Sequence, residues 1–130
     1  MTRNRNSFMR SNRSRLSWSI ILLLAALALS SQAVSCDWSG EWTINWGLWE
    51  GKAHTNQMTL TQTGDRVTGT YDWHGGIIDA NVVGDKLIGE WIETDNRGRF
   101  EYTMESDCRS FEGVWGYSDS IGDGYWDGTR

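Results

Sequence analysis

Gly84-Asp85-Lys86-Leu87-Ile88-Gly89-Glu90-Trp91 is the stretch that decides the fold. Gly84-Asp85 suits a two-residue hairpin turn, and the residues after it alternate between two faces. Leu87, Gly89 and Trp91 share one face, while Lys86, Ile88 and Glu90 share the other. A strand patterned in this way hides one face, and a glycine beside the indole leaves room for a large ring. The same Gly-x-aromatic tripeptide recurs at Gly40-Glu41-Trp42, Gly69-Thr70-Tyr71, Gly113-Val114-Trp115 and Gly124-Tyr125-Trp126. The repeat describes an all-β wall built around aromatic rings.

Period-2 alternation continues along most of the chain beyond Cys36, broken by turn residues every 9 to 12 positions. It predicts eight strands, at about 38–47, 56–63, 66–72, 76–83, 86–93, 98–105, 110–117 and 124–129. The inward face takes Trp42, Ile44 and Trp46, then Met58 and Leu60, then Val67, Gly69 and Tyr71. It continues through Ile78, Ala80 and Val82, Leu87, Gly89 and Trp91, and Phe100, Tyr102 and Met104. Phe111, Gly113 and Trp115, with Trp126 and Gly128, complete it. Such one-sided burial predicts a single antiparallel up-and-down meander barrel. A small two-sheet sandwich carries the same alternation and stays the alternative.

The connections differ by end. Those after strands 2, 4 and 6 are Gly64-Asp65, Gly84-Asp85 and Ser106 to Arg109, all tight. Those after the odd strands carry Trp49, Glu50, Lys52, His54, Trp73, His74, Asp95, Asn96, Arg97, Asp119 and Asp123. In a meander these two sets lie at opposite ends, so functional side chains are expected at the second. Odd strands run towards that end, which makes Trp46, Tyr71, Trp91 and Trp115 the inward residues nearest its mouth. These four are the candidate ligand-binding residues, and Trp49, Trp73, His74, Asn96 and Arg97 are the candidate rim. Two arrangements are open. The rings line a pocket for a planar or sugar-like ligand, with a cavity left by Gly69, Gly89 and Gly113 one pleat deeper. Otherwise the rings cover those glycines and fill the core.

The first 35 residues differ in kind. Arg3, Arg5, Arg10, Arg13 and Arg15 precede a short apolar run from Ile20 to Leu29, and Ala33-Val34-Ser35 supplies small residues. This is the pattern of a secretory signal peptide, its apolar run too short for a spanning helix. The expected domains are thus 1–35, signal peptide, and 36–130, barrel. That barrel segment holds seven Lys and Arg (the twelve of the chain less these five) against all 17 Asp and Glu, a formal net of −10. Such a charge excludes nucleic acid as a partner class and disfavours anionic membrane surfaces. Cys36 and Cys108 read as a disulfide in an exported domain, both falling at the tight-turn end. The alternative is a lipid anchor on Cys36, although Ala33 stands where a lipobox usually has leucine.

No catalytic constellation is legible. His54 and His74 adjoin no recognisable nucleophile motif, and the carboxylates alternate along strands as solvated positions do. Asp119, Asp123 and Asp127 could serve as oxygen ligands, yet they lack EF-hand spacing, and Asp-Gly is a common turn pair. Neither a metal nor a cofactor is expected.

Val67-Thr68-Gly69-Thr70-Tyr71 resembles the second-strand motif of the avidin family. Gly40-Glu41-Trp42 is similar to the Gly-x-Trp that opens both avidins and lipocalins. The resemblance implies a calycin-type barrel of eight strands holding a small molecule at its open end. It also implies ligand contact for Tyr71 and a barrel-base role for Trp42. Asp72-Trp73 departs from the avidin pattern, which has a serine two residues after the tyrosine. The expectation is a secreted or periplasmic, non-enzymatic protein that binds a small molecule or glycan. The alternative is a ligand-free interaction module facing a protein or polysaccharide.

Overall fold

The computed structural model describes residues 35–130. The expected signal peptide, residues 1–35, lies outside them but for Ser35. Eight strands follow in order: β1 (Gly40–Leu48), β2 (His54–Thr63), β3 (Arg66–Tyr71) and β4 (Gly76–Val83), then β5 (Lys86–Ile92), β6 (Arg97–Met104), β7 (Ser110–Tyr117) and β8 (Gly124–Thr129). Each pairs antiparallel with the next, and β8 returns to β1 from Thr43↔Thr129 to Leu48↔Gly124. The sheet is a closed meander barrel, so the two-sheet sandwich is set aside. Closure leaves no strand edge unpaired. No helix among the described residues is long and apolar enough to cross a membrane.

The turns explain the register. Thr63 pairs with Arg66 and Val83 with Lys86, leaving two central residues in each hairpin. Gly64 and Gly84 take φ of +60° and +63° at the first central position, while neither Asp65 nor Asp85 has positive φ. That is the type II′ pattern, whose twist matches the flanking strands. A shift of one residue would turn Leu87 and Trp91 outward, so turn and alternation fix the same register.

The interior is aromatic from the closed end upward. Trp38, Trp42, Phe100, Tyr102 and Phe111 are fully buried, with Tyr102 stacked on Phe111 at 4.2 Å between centroids. Trp38, in phase with Trp42 and Trp46 but left out of the expected inward face, plugs the closed end before β1 begins. It packs against Trp42, Tyr102 and Phe111, and its carbonyl accepts from Trp42 Nε1 at 3.0 Å. Cys36 and Cys108 form a disulfide at the same end, their Cα atoms 5.3 Å apart. Arg130 lies over the Trp42 ring at 4.3 Å and donates to the carbonyls of Asp37, Ser39 and Cys108. The first and last residues of the barrel are thereby tied together.

Inward glycines follow one rule. Each stands opposite a side chain on the preceding strand that leans onto it: Leu60 on Gly69, Tyr71 on Gly76, Ala80 on Gly89 and Trp91 on Gly98. Tyr102 on Gly113, Trp115 on Gly124 and Phe111 on Gly128 complete the series. Any side chain at these glycines would meet the covering group, as a Cβ on Gly98 would stand 2.6 Å from the Trp91 ring. Every cover leans towards the following strand, so the tilt runs one way round the barrel. Aromatic cover of strand glycines is a recognised source of sheet order.

Candidate functional site

The mouth is built by applying that rule at the ends of the odd strands. Trp91 crosses Gly98 of β6 and donates through Nε1 to the Gly116 carbonyl of β7 at 3.2 Å. Trp115 crosses Gly124 of β8 and donates to the Gly47 carbonyl of β1, also at 3.2 Å. Tyr71 crosses Gly76 of β4, and its hydroxyl donates to Glu93 Oε2 at 2.7 Å, just past the end of β5. Trp46 donates instead to the Asn56 Oδ1 on β2 at 2.9 Å. Trp91, Trp115 and Tyr71 are thus fixed at both ends, by packing on a glycine backbone and by a hydrogen bond, and Trp46 by its hydrogen bond and its stack on His54.

Between the rings lies a cavity of about 270 Å³, about nine waters' share of liquid at ~30 Å³ each. That is room for one ring-sized molecule, at the small end of known ligand sites. Trp46, Tyr71, Trp91 and Trp115 all line it, together with Trp126 from β8. Adjoining walls stand close to perpendicular: 80° for Trp46 and Trp115, 84° for Trp91 and Trp115, and 76° for Trp46 and Trp73. Below, Trp126 packs edgewise on Tyr102 at 5.5 Å, and the solid core begins. Pocket lining and core filling therefore both occur, one above the other. The cavity does not come from Gly69, Gly89 and Gly113, where Leu60, Ala80 and Tyr102 occupy the space.

The rim divides. Trp73 and Asn96 line the cavity. Trp73 is held by the β3–β4 turn, in which its amide donates to Tyr71 O and its carbonyl accepts from Gly76 N, both at 2.9 Å. His74 packs on Trp73 at 4.7 Å but is itself exposed, at φ +47°. Arg97 points along the outer face to Glu90 at 3.6 Å, as its position one residue before inward Gly98 requires. Trp49 also lies outside. Its ring packs against Tyr125 at 5.9 Å, its Nε1 donates to Gly122 O, and it is 58% exposed. Thus Trp49, His74 and Arg97 surround the open end without entering it.

Sequence reasoning placed His54 in the links of this end without making it a site residue, and it did not name Glu93. His54 stacks on Trp46 at 4.5 Å and packs against Trp73 at 4.7 Å, forming part of the lining. It pairs with Trp46 across the first hairpin, which sets its ring against the indole. Glu93 ends the expected strand 86–93 in phase with Leu87, Gly89 and Trp91, so the alternation turns it inward, and its proximity to Tyr71 gives it a partner. Burial foremost, then the bond and the charge of Glu93, push the Tyr71 hydroxyl far above its ordinary range. Tyr71 therefore remains a neutral donor at every physiological pH. Lys52, Leu48 and Tyr117 supply the exposed lip. Among the described residues no group of His, Cys, Asp and Glu is arranged to hold a metal, and Asp123 Oδ2 instead accepts from the Tyr117 amide.

Comparison with protein-family models and with curated proteins gives no match to this chain.

Proposed function

We propose that this domain is an exported binding protein that holds a small molecule or a glycan unit in its aromatic mouth. The observation that carries the proposal is the cavity itself: rings from β1, β3, β5, β7 and β8 converge on a ring-sized void at one end. A ligand there gains stacking area against side chains that are already immobile, so little ordering opposes binding. The chemistry offered is recognition rather than bond cleavage, because the walls are largely carbon rings, with the indole N–H groups of Trp46, Trp91 and Trp115 bonded to the protein. Export is supported by the Arg-rich, apolar, small-residue beginning of the sequence and by the disulfide. The avidin and lipocalin resemblance supports the same reading, with Tyr71 at the mouth and Trp42 at the base.

A second reading has one observation in its favour. Trp49 is exposed over Tyr125, with Leu48 and Ile121 also exposed near the mouth end. Such a surface suits an interaction module that meets a protein or polysaccharide. Intrinsic tryptophan fluorescence, titrated with a panel of small molecules and oligosaccharides, separates the two. Binding that is lost on narrowing the cavity but survives Trp49→Ala supports the mouth. Binding that is lost only with Trp49→Ala supports the surface.

A further inference from the structure

Taking the mouth as a binding site, we propose that its ligand is an organic cation, a quaternary or methylated ammonium group of ring size. Three observations point there together. The first is the box itself, in which Trp46, Trp73, Trp91 and Trp115 stand as near-perpendicular neighbours around the void. Aromatic faces are electron-rich and attract cations, most strongly where water is excluded.

The second is the direction of the donors. The indole N–H groups of Trp46, Trp91 and Trp115 are held by Asn56 Oδ1, Gly116 O and Gly47 O. That of Trp126 is buried without a partner among the described residues and inaccessible from the void. The Tyr71 hydroxyl is directed to Glu93. A sugar or a carboxylate, rich in acceptors, therefore finds no donor on Trp46, Tyr71, Trp91 or Trp115 and must use those of Lys52, His54, Trp73, Asn96 and Tyr117, which also line the mouth. A methylated ammonium needs none.

The third is charge. Glu93 places a carboxylate in the lining, and the four links at this end also carry Glu50, Asp72, Asp95, Asp119 and Asp123 against the single lysine Lys52. Arg97, which opens β6, is directed to Glu90 on the outer face. The open end is thus a negative funnel over electron-rich walls, which draws cations in. Lys52, exposed at the lip and in no ion pair among the described residues, opposes the effect. It supplies a control of opposite sign. The same head group occurs free or joined to a phosphate, and the acidic lip disfavours the second.

The test is fluorescence titration of the full exported domain with tetramethylammonium, choline, phosphocholine, glucose and the neutral carbon analogue of choline, in which tert-butyl replaces trimethylammonium. Choline is expected to bind about ten-fold more tightly than its neutral analogue. Glu93→Gln keeps an acceptor for Tyr71 and should weaken choline by about ten-fold without affecting the analogue. Lys52→Gln should strengthen it. Weaker binding of phosphocholine than of choline identifies a free cation, and equal or tighter binding identifies a head group. Equal affinity for choline and its analogue, or choline binding indifferent to Glu93→Gln, overturns the cation proposal while leaving the mouth in place. Glucose binding without any cation binding does the same. If no compound of either kind perturbs the tryptophans, the cation proposal and the binding mouth both fall.

Discussion

Trp115 Nε1 donates to the Gly47 carbonyl at 3.2 Å, reaching from β7 across β8 to β1. The two residues are 68 apart in sequence, and the strand between them contributes only Gly124 beneath the indole. The seam of the barrel is thus closed twice, by the β1–β8 ladder and by a ring laid over it. Trp91 does the same for β5 and β7 across Gly98. The glycine and the bond are two halves of one contact.

Gly124→Ala should destabilise the barrel by roughly 1–3 kcal/mol, because an added methyl forces the ring and a neighbouring backbone apart. The new Cβ would stand 2.6 Å from Trp115 Nε1 and would also meet the Gly47 carbonyl. Gly89→Val should cost at least as much, its Cβ falling 2.5 Å from that of Ala80. Urea denaturation measures both. An unshifted midpoint for Gly124→Ala would mean that Trp115 does not rest there.

Trp91→Ala should abolish binding at the mouth, while Asp65→Ala, in the hairpin turn at the closed end, should leave affinity unchanged. Removing a buried tryptophan commonly costs about 3–5 kcal/mol, so circular dichroism must first show a folded variant. Trp91→Phe, which keeps one aromatic ring but loses the second ring of the indole together with its N–H, provides the milder form. Undiminished affinity in a folded Trp91→Ala protein would remove Trp91 from the site.

Reducing the Cys36–Cys108 disulfide, or replacing both cysteines by serine, should lower stability by about 4 kcal/mol in the loop-entropy account. The bridge spans a separation of 72 residues, and its reduction releases the N-terminal segment that carries Trp38. Thermal melts with and without reductant read the effect. A melting temperature unaffected by reductant, in protein shown by thiol titration to be reduced, would deny the bridge that role.

Asp127→Asn should stabilise the domain at neutral pH, with the gain vanishing in acid. Burial is the main cause that raises the Asp127 carboxyl above its ordinary 3.8, and Glu112 adds to it, against the lowering effect of the Gly113 amide. A carboxyl raised on folding contributes its stability below the unfolded value and loses it as pH rises through the folded one. The variant and the parent should therefore coincide in acid, below the ordinary carboxyl value, and diverge at neutral pH. Parallel denaturation curves at the two pH values decide it.

Strand number, order and inward faces were legible because a period of two and hairpin turns are local properties. Leu87, Gly89 and Trp91 announce their shared face without reference to any other strand. The four mouth rings followed from strand direction alone. What was not legible depended on lateral neighbours. The repeat suggested that each ring answers the glycine on its own strand, whereas Trp91 answers Gly98 and Trp115 answers Gly124. Glu93, in phase with Trp91, was legible as an inward position but not as the partner of Tyr71, and the outward turn of Trp49 depends on a contact with Tyr125 that no local pattern encodes. Trp38 is in phase with Trp42 and Trp46, but it precedes β1, and its role as a plug depends on contacts with Tyr102 and Phe111 that the alternation does not encode.

The common lean of the inward side chains has an optical consequence. Trp46, Trp73, Trp91, Trp115 and Trp126 form a connected set of neighbours with centroids 5.2 to 6.4 Å apart, fixed in one chiral arrangement. Transition dipoles that close couple, and a handed array of them splits its absorption into a signed pair of circular-dichroism bands. The folded barrel is thus a chiral exciton antenna, and anything that enters its mouth must retune it.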